Sequence, residues 1–124
     1  MKIHLLSNGF FSPKERASLK RLAAHVVASE KRPATELTIN LGTDADITGV
    51  NAEFLGRPWP TDVISFPDGE RHPDGTLPLG DIIISVETAK RNAKRYGKKP
   101  FAEVRLLAVH GILQALGDAE IVAV

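Results

Sequence analysis

Two polar side chains, His110 and Gln114, interrupt the apolar run from Leu106 to Leu116, together with Gly111. A spacing of four puts both side chains on one face of a helix. An imidazole can carry a proton or hold a metal ion, and an amide can both donate and accept hydrogen bonds. The stretch from Phe101 to Gly117 is apolar nearly all round, the pattern of a buried central helix. On such a helix a polar group without a partner costs about 1–3 kcal/mol. The spacing leaves two readings open: a hydrogen-bonded network in the core, or the lining of a site.

A second group of residues is suited to phosphate. Lys90, Arg91, Lys94 and Arg95 fall on one side of a predicted helix and are followed by Lys98 and Lys99. Such a surface suits a nucleic-acid backbone, because each neutralised phosphate releases counterions; taken alone it is more often the solvated face of a helix. Net charge is only +1, but residues 1–33 carry seven Lys/Arg against two Asp/Glu, and residues 86–124 carry seven against four. The middle is acidic, with two against nine over residues 34–85. That asymmetry hints at a polyanionic partner. Trp59 lies between Pro58 and Pro60, close to Arg57. An indole there can stack on a base or cap the core.

Several chemistries are excluded. With no cysteine in 124 residues there is no disulfide frame, thiol nucleophile or cysteine zinc site. No G-x-S-x-G surrounds Ser65, no glycine-rich loop follows a strand, and Gly111 after His110 breaks the H-E-x-x-H zinc signature. No apolar run approaches the ~20 residues of a membrane span, and the N-terminus lacks a signal-peptide core, so a cytoplasmic location is the expectation. The length suits a single domain over 1–124.

The positioning elements follow in order. Residues 1–6 read as a short strand closed by a turn at Ser7-Asn8-Gly9. Ser12-Pro13-Lys14-Glu15 is a capping box that opens a helix, with Leu19, Leu22, Ala23, Val26 and Val27 as its buried stripe. His25 lies beside that stripe and reads as structural. Glu36 to Leu41 alternates as a half-buried strand. Thr43 to Asp46 starts a second helix, and the Pro58-Trp59-Pro60 segment forbids its continuation. Residues 61–67 form a strand, 68–78 a loop rich in turn signals, and 82–85 an apolar strand covered on both faces. Val86, Ala89, Ala93 and Tyr96 mark a third helix ended by Gly97, before the central helix. Interleaved strands and helices argue for a layered α/β domain around one small sheet.

Four blocks occur in a telling order: Asp46-Ile47 with Asn51 and Phe54; Pro60-Thr61-Asp62-Val63-Ile64-Ser65-Phe66-Pro67; Leu79-Gly80-Asp81-Ile82-Ile83-Ile84-Ser85; and Val109-His110-Gly111-Ile112-Leu113. Together they resemble the YbeY family, bacterial endoribonucleases of ribosomal RNA maturation. The resemblance implies a small mixed four-stranded sheet packed with four to five helices. It also implies Zn2+ bound by three histidines, and cleavage of single-stranded ribosomal RNA near the 3′ end of the small-subunit RNA. The implied partner is then the small ribosomal subunit.

The chain departs from the family pattern where the chemistry sits. The first metal-ligating histidine is kept as His110, the second position is Gln114, and the third falls on Glu120. Leu55 replaces the family arginine; Arg57, two residues on, stands where the family usually has lysine and can supply a cation to the phosphate instead. A carboxylate is an acceptable zinc ligand, but a neutral amide is a poor one. Asp118 is near enough to substitute, and the chain is short after the third position. The resemblance therefore implies a metal-dependent endoribonuclease whose zinc is weakly held or absent. The alternative is a catalytically impaired relative that binds RNA or the ribosome as an assembly factor, and a third reading fills the stripe with core hydrogen bonds.

Overall fold

The computed structural model describes residues 1–117 and 121–123. Its elements are β1 (Lys2–Leu6), α1 (Pro13–Ser29), β2 (Glu36–Gly42), α2 (Asp44–Leu55), β3 (Val63–Pro67), β4 (Pro78–Ser85), α3 (Val86–Arg95), α4 (Pro100–Gly117) and β5 (Val122–Ala123). They make one mixed sheet ordered β1-β2-β4-β3-β5. β1, β2 and β4 run parallel, and β3 is antiparallel to both β4 and β5. The four expected strands are all present, joined at the β3 edge by the two-residue β5.

Local chemistry fixes the ends of these elements. Ser12 and Glu15 complete a reciprocal capping box with Pro13 in the first turn of α1, and Thr43 and Asp46 do the same for α2. Gly56, at φ 66°, reverses the chain after α2. β4 begins within the expected loop, at Pro78, because Gly80 adopts φ 140° opposite Pro67, where the pairing with β2 shifts register between Glu36 and Thr38. A β-carbon at Gly80 would sit 2.1 Å from the Phe66 carbonyl oxygen, so only glycine fits there.

Strand alternation sorts the sheet into two faces. Leu37, Ile39, Leu41, Val63, Ile82 and Ile84 join Leu19, Ala23 and Val27 of α1, Val86 and Ala89 of α3, and Val104, Leu107, Ala108, Ile112 and Ala115 of α4 in one core. On the other face Ile64 pairs with Ile83, and Phe66 takes the ring of Phe54 from α2 edge-on at 5.2 Å. Ile83 is half-buried and its two neighbours are fully buried, so the run 82–85 is covered on both faces as its composition predicts.

The expected burial of α4 all round is corrected. Val104, Leu107, Ala108, Gly111, Ile112 and Ala115 face the core, whereas Ala102, Leu106, His110, Leu113 and Gly117 form an exposed face. Leu106 and Leu113, 41% and 42% exposed, gave that face its apolar look in sequence. The helix lies very close to the sheet. A β-carbon on Gly111 would stand 2.6 Å from Ile82 Cγ2 and 3.1 Å from Val63 Cγ2. The buried Ser65 hydroxyl donates to the Gly111 carbonyl at 2.7 Å, which fixes the height of the helix over β3.

Asp44 ties α2 to the β4–α3 junction. Its Oδ1 accepts from the Ser85 hydroxyl at 2.7 Å and the Thr88 hydroxyl at 2.6 Å, and its Oδ2 pairs with Arg91 at 2.8 Å. Burial alone would raise its carboxyl, but bonds from Thr88, Ser85 and Arg91 hold it below the ordinary value.

Two outcomes follow. Gly111→Ala should lower the unfolding free energy by about 1–2 kcal/mol, since overpacking of about 1–3 kcal/mol outweighs the gain in helix propensity. Denaturant melts that leave the variant as stable as wild type would contradict that packing. Asp44→Ala should cost about 1–3 kcal/mol at neutral pH by stranding the buried Ser85 hydroxyl. Because the folded carboxyl titrates below its unfolded value, the charge-linked part of that difference is present above about pH 4 and fades as pH falls through the lowered value. A stability gap that did not change with pH would show that the carboxylate charge contributes nothing.

Candidate functional site

α4 presents His110 outward and Gln114 half-buried, one turn apart on the same side of the helix. The reading of His110 as a buried core histidine is therefore corrected; its neighbours along the exposed face are Leu106 and Leu113. Asp62, immediately before β3, lies within electrostatic reach of His110. Burial raises the Asp62 carboxyl; the backbone amides of Val63 and of Asp62 itself draw it back, Glu103 raises it further, and His110 lowers it. Asp62 Oδ1 accepts from the Val63 N–H at 2.9 Å, and its Oδ2 lies 3.4 Å from the Asn92 amide nitrogen.

Sequence reasoning missed Asp62 and Glu103. Glu103 is 3% exposed and takes the Lys98 ammonium at 2.8 Å. The available signal for Asp62 was its place in the Thr61-Asp62-Val63 block, where a charged residue directly precedes the buried run Val63, Ile64 and Ser65. Ser65, the polar residue of β3 itself, is fully buried, and its hydroxyl is bonded to the Gly111 carbonyl.

Zinc asks for three or four nitrogen, sulfur or carboxylate donors in a tetrahedral set. The described part of the family position offers one imidazole, on His110, and one neutral amide, on Gln114. Glu120 and Asp118 lie outside the described residues. Among the described residues no three His, Cys, Asp or Glu side chains converge as a metal site. The donor chemistry of His110 with Gln114 does not fit a resident zinc.

The segment after α2 approaches the same region in sequence. Leu55 is half-buried in the last turn, and Arg57 is exposed just beyond Gly56. Asn51, 1% exposed, sends its amide nitrogen 2.9 Å to the Trp59 carbonyl oxygen. Trp59 itself is 56% exposed.

The six basic residues differ in their freedom. Arg91 is held by Asp44 and Lys98 by Glu103, while Lys90 lies 5.8 Å from the centre of the Phe10 ring. Lys94, Arg95 and Lys99 are exposed, with Lys94 and Arg95 in the last turn of α3, where they complement the helix dipole.

A cleft of about 660 Å³ opens at the other end of β3 and α4, lined by Arg32, Phe66, Asp68, Glu70, Asp81 and Leu116 among others. Burial raises the Asp81 carboxyl, the Thr38 hydroxyl draws it down and Asp68 raises it again. Arg32 donates to the Leu116 carbonyl. Neither His110 nor Gln114 lines this cleft.

Comparison with known proteins places the whole arrangement. A sequence profile described as Endoribonuclease YbeY matches residues 11–119. An Endoribonuclease YbeY of Gloeobacter violaceus is 46% identical over 92 residues, covering 68% of this chain and 46% of that protein. One from Chloroflexus aurantiacus is 39% identical over 106 residues, covering 80% and 69%. One from Bacillus licheniformis is 36% identical over 115 residues, covering 85% and 73%. The chain thus spans from under half to about three-quarters of the length of these relatives. The solution structure of TM1509 from Thermotoga maritima superposes with a TM-score of 0.64 at 26% identity, covering 94% of this chain and 73% of that one. The matched span includes the strand blocks, the Asn51 helix and the helix bearing His110, and on that footing the chain belongs to the Endoribonuclease YbeY family.

Proposed function

We propose that this chain is a ribosomal RNA maturation factor that engages single-stranded RNA of the small ribosomal subunit, and that it cleaves slowly or not at all as its sequence stands. The observation that carries the reading is the exposed His110 beside Asp62, with an amide at Gln114 where the family has its second histidine. The exposed cations Lys94, Arg95 and Lys99 support a backbone-binding surface. Membership of an endoribonuclease family supports RNA as the partner. No helix among the described residues is long and apolar enough to cross a membrane.

Zinc-dependent cleavage by the unaltered chain is the second reading. It is favoured by the retained His110 and by the carboxylate residue Glu120 at the family's third position. In that reading Arg57 supplies the cation that Leu55 does not, near the charge that develops on the scissile phosphate.

Cleavage of a single-stranded RNA by matched variants separates the two. Gln114→His with Glu120→His supplies the missing imidazoles, and Leu55→Arg adds the family cation. The triple variant should cut at least about a hundredfold faster than wild type, in a reaction that a chelator stops. Wild-type protein that cuts as fast as the triple variant, and is equally sensitive to chelator, would establish the second reading instead.

The basic surface is tested by salt. Lys94→Ala with Arg95→Ala should weaken RNA binding and flatten its log–log salt dependence by roughly one to two units. Lys98→Ala should act mainly on stability, because it strands the buried Glu103 carboxylate at a cost of about 3–5 kcal/mol. A salt slope unchanged in the double variant would leave α3 as a solvated face.

A further inference from the structure

The segment Pro58-Trp59-Pro60 is an exposed arm held at fixed geometry. Proline locks φ near about −65° on either side of the tryptophan, and Pro60 also confines Trp59 itself to extended conformations. From below, Asn51 binds the Trp59 carbonyl at 2.9 Å. Only the amide nitrogen can face a carbonyl oxygen, so that bond sets the orientation of the Asn51 side chain. Its Oδ1 is left buried without a partner among the described residues. An orphaned buried acceptor is unfavourable, and here it accompanies the contact that holds the arm in place. The indole so held is 56% exposed, among the most exposed large apolar side chains of the molecule.

The surroundings favour a nucleotide over another apolar surface. Arg57, two residues earlier, is exposed, and its guanidinium enters none of the ion pairs among the described residues. A rigid aromatic face beside a free cation offers stacking for a base and charge for the adjoining phosphate. Trp59 and Asp62 stand three positions apart, so their α-carbons lie within about 11 Å of each other. That places the arm near the Asp62–His110 pair.

We propose that Trp59 is the base-stacking platform of this site and that it makes the protein selective for unpaired RNA, with Arg57 taking a neighbouring phosphate. The inference rests on the RNA-binding reading above and deepens it. A base in a duplex is stacked on its neighbours and has no free face to offer, whereas an unpaired base does. Since the arm is already ordered, little conformational entropy is lost when a base lands on it.

Trp59 is the only tryptophan of the chain, so its emission reports on this position alone. The test titrates the protein with a dye-labelled single-stranded pyrimidine RNA and with a duplex of the same length, reading tryptophan emission and dye anisotropy together. The single strand should quench the emission with the same midpoint as the anisotropy, and the duplex should leave it unquenched. Trp59→Ala should weaken single-strand binding by about ten- to a hundredfold, and Trp59→Phe should recover most of the loss. The position is exposed, so circular dichroism of both variants should match wild type. Anisotropy that reports binding while emission stays constant, or a Trp59→Ala variant that binds like wild type, would overturn the platform and leave the RNA-binding reading standing. Quenching by the duplex equal to that by the single strand would overturn the selectivity. An absence of binding to any RNA would overturn both.

Discussion

How closely α4 can lie against β3 and β4 is the constraint on which the rest of the structure depends. Helices ordinarily keep their distance because of the side chains between them and the sheet, but Gly111 removes that spacer opposite Ile82 and Val63. The Ser65 hydroxyl then reaches the Gly111 carbonyl, a buried polar contact that specifies position along the helix as well as height. With the inner face of α4 seated in this way, its outer face is set by the helical repeat. His110 must face out, and Gln114 must follow one turn later. One close contact in the core thus orients His110 and Gln114 at the surface.

Around this contact, charged groups divide into those that hold the fold and those left free. Asp44, Arg91, Ser85 and Thr88 join α2 to the β4–α3 junction, and Lys98 with Glu103 fastens the start of α4. Both cations come from the stretch that sequence reads as a single phosphate-binding surface. Their partners differ in depth: Glu103 is nearly sealed from water, so its ion pair is stringent, whereas the Arg91 pair lies nearer the surface and is screened more. The cations at the end of α3 that enter no ion pair among the described residues, Lys94 and Arg95, sit where helix dipole and solvent exposure both favour positive charge.

Much of the fold was legible because local signals and tertiary structure agree. The capping boxes at Ser12 and Thr43, the alternation of β2 and the apolar run of β4 each point to the element that forms. The two-residue β5 carries too short a pattern to be seen. The site was only half legible. His110 and Gln114 were visible through their spacing, but the exposed leucines beside them disguised a solvent face as a core face. Glu103 drew no attention in sequence, because the ammonium that makes its burial tolerable comes from Lys98, in the turn before the helix. Asp62 gains its character from burial and from Glu103 and His110, both on α4, which no local pattern reveals. The buried Asn51 likewise acquires its meaning only when the chain returns at Trp59.

Family membership and the chain's own residues pull in different directions at His110. The strand blocks and the glycine that seats α4 are those of an endoribonuclease fold, while the donor set on the outer face lacks the second imidazole that zinc would prefer. Equilibrium zinc affinity, measured by competition with a chromophoric chelator of moderate strength, addresses this most directly. The account predicts that wild-type protein yields its zinc to the chelator at equal concentrations and shows no perturbation of the His110 ring resonances by NMR under those conditions. Retention of one equivalent of zinc against the chelator, with those resonances shifted, would contradict it.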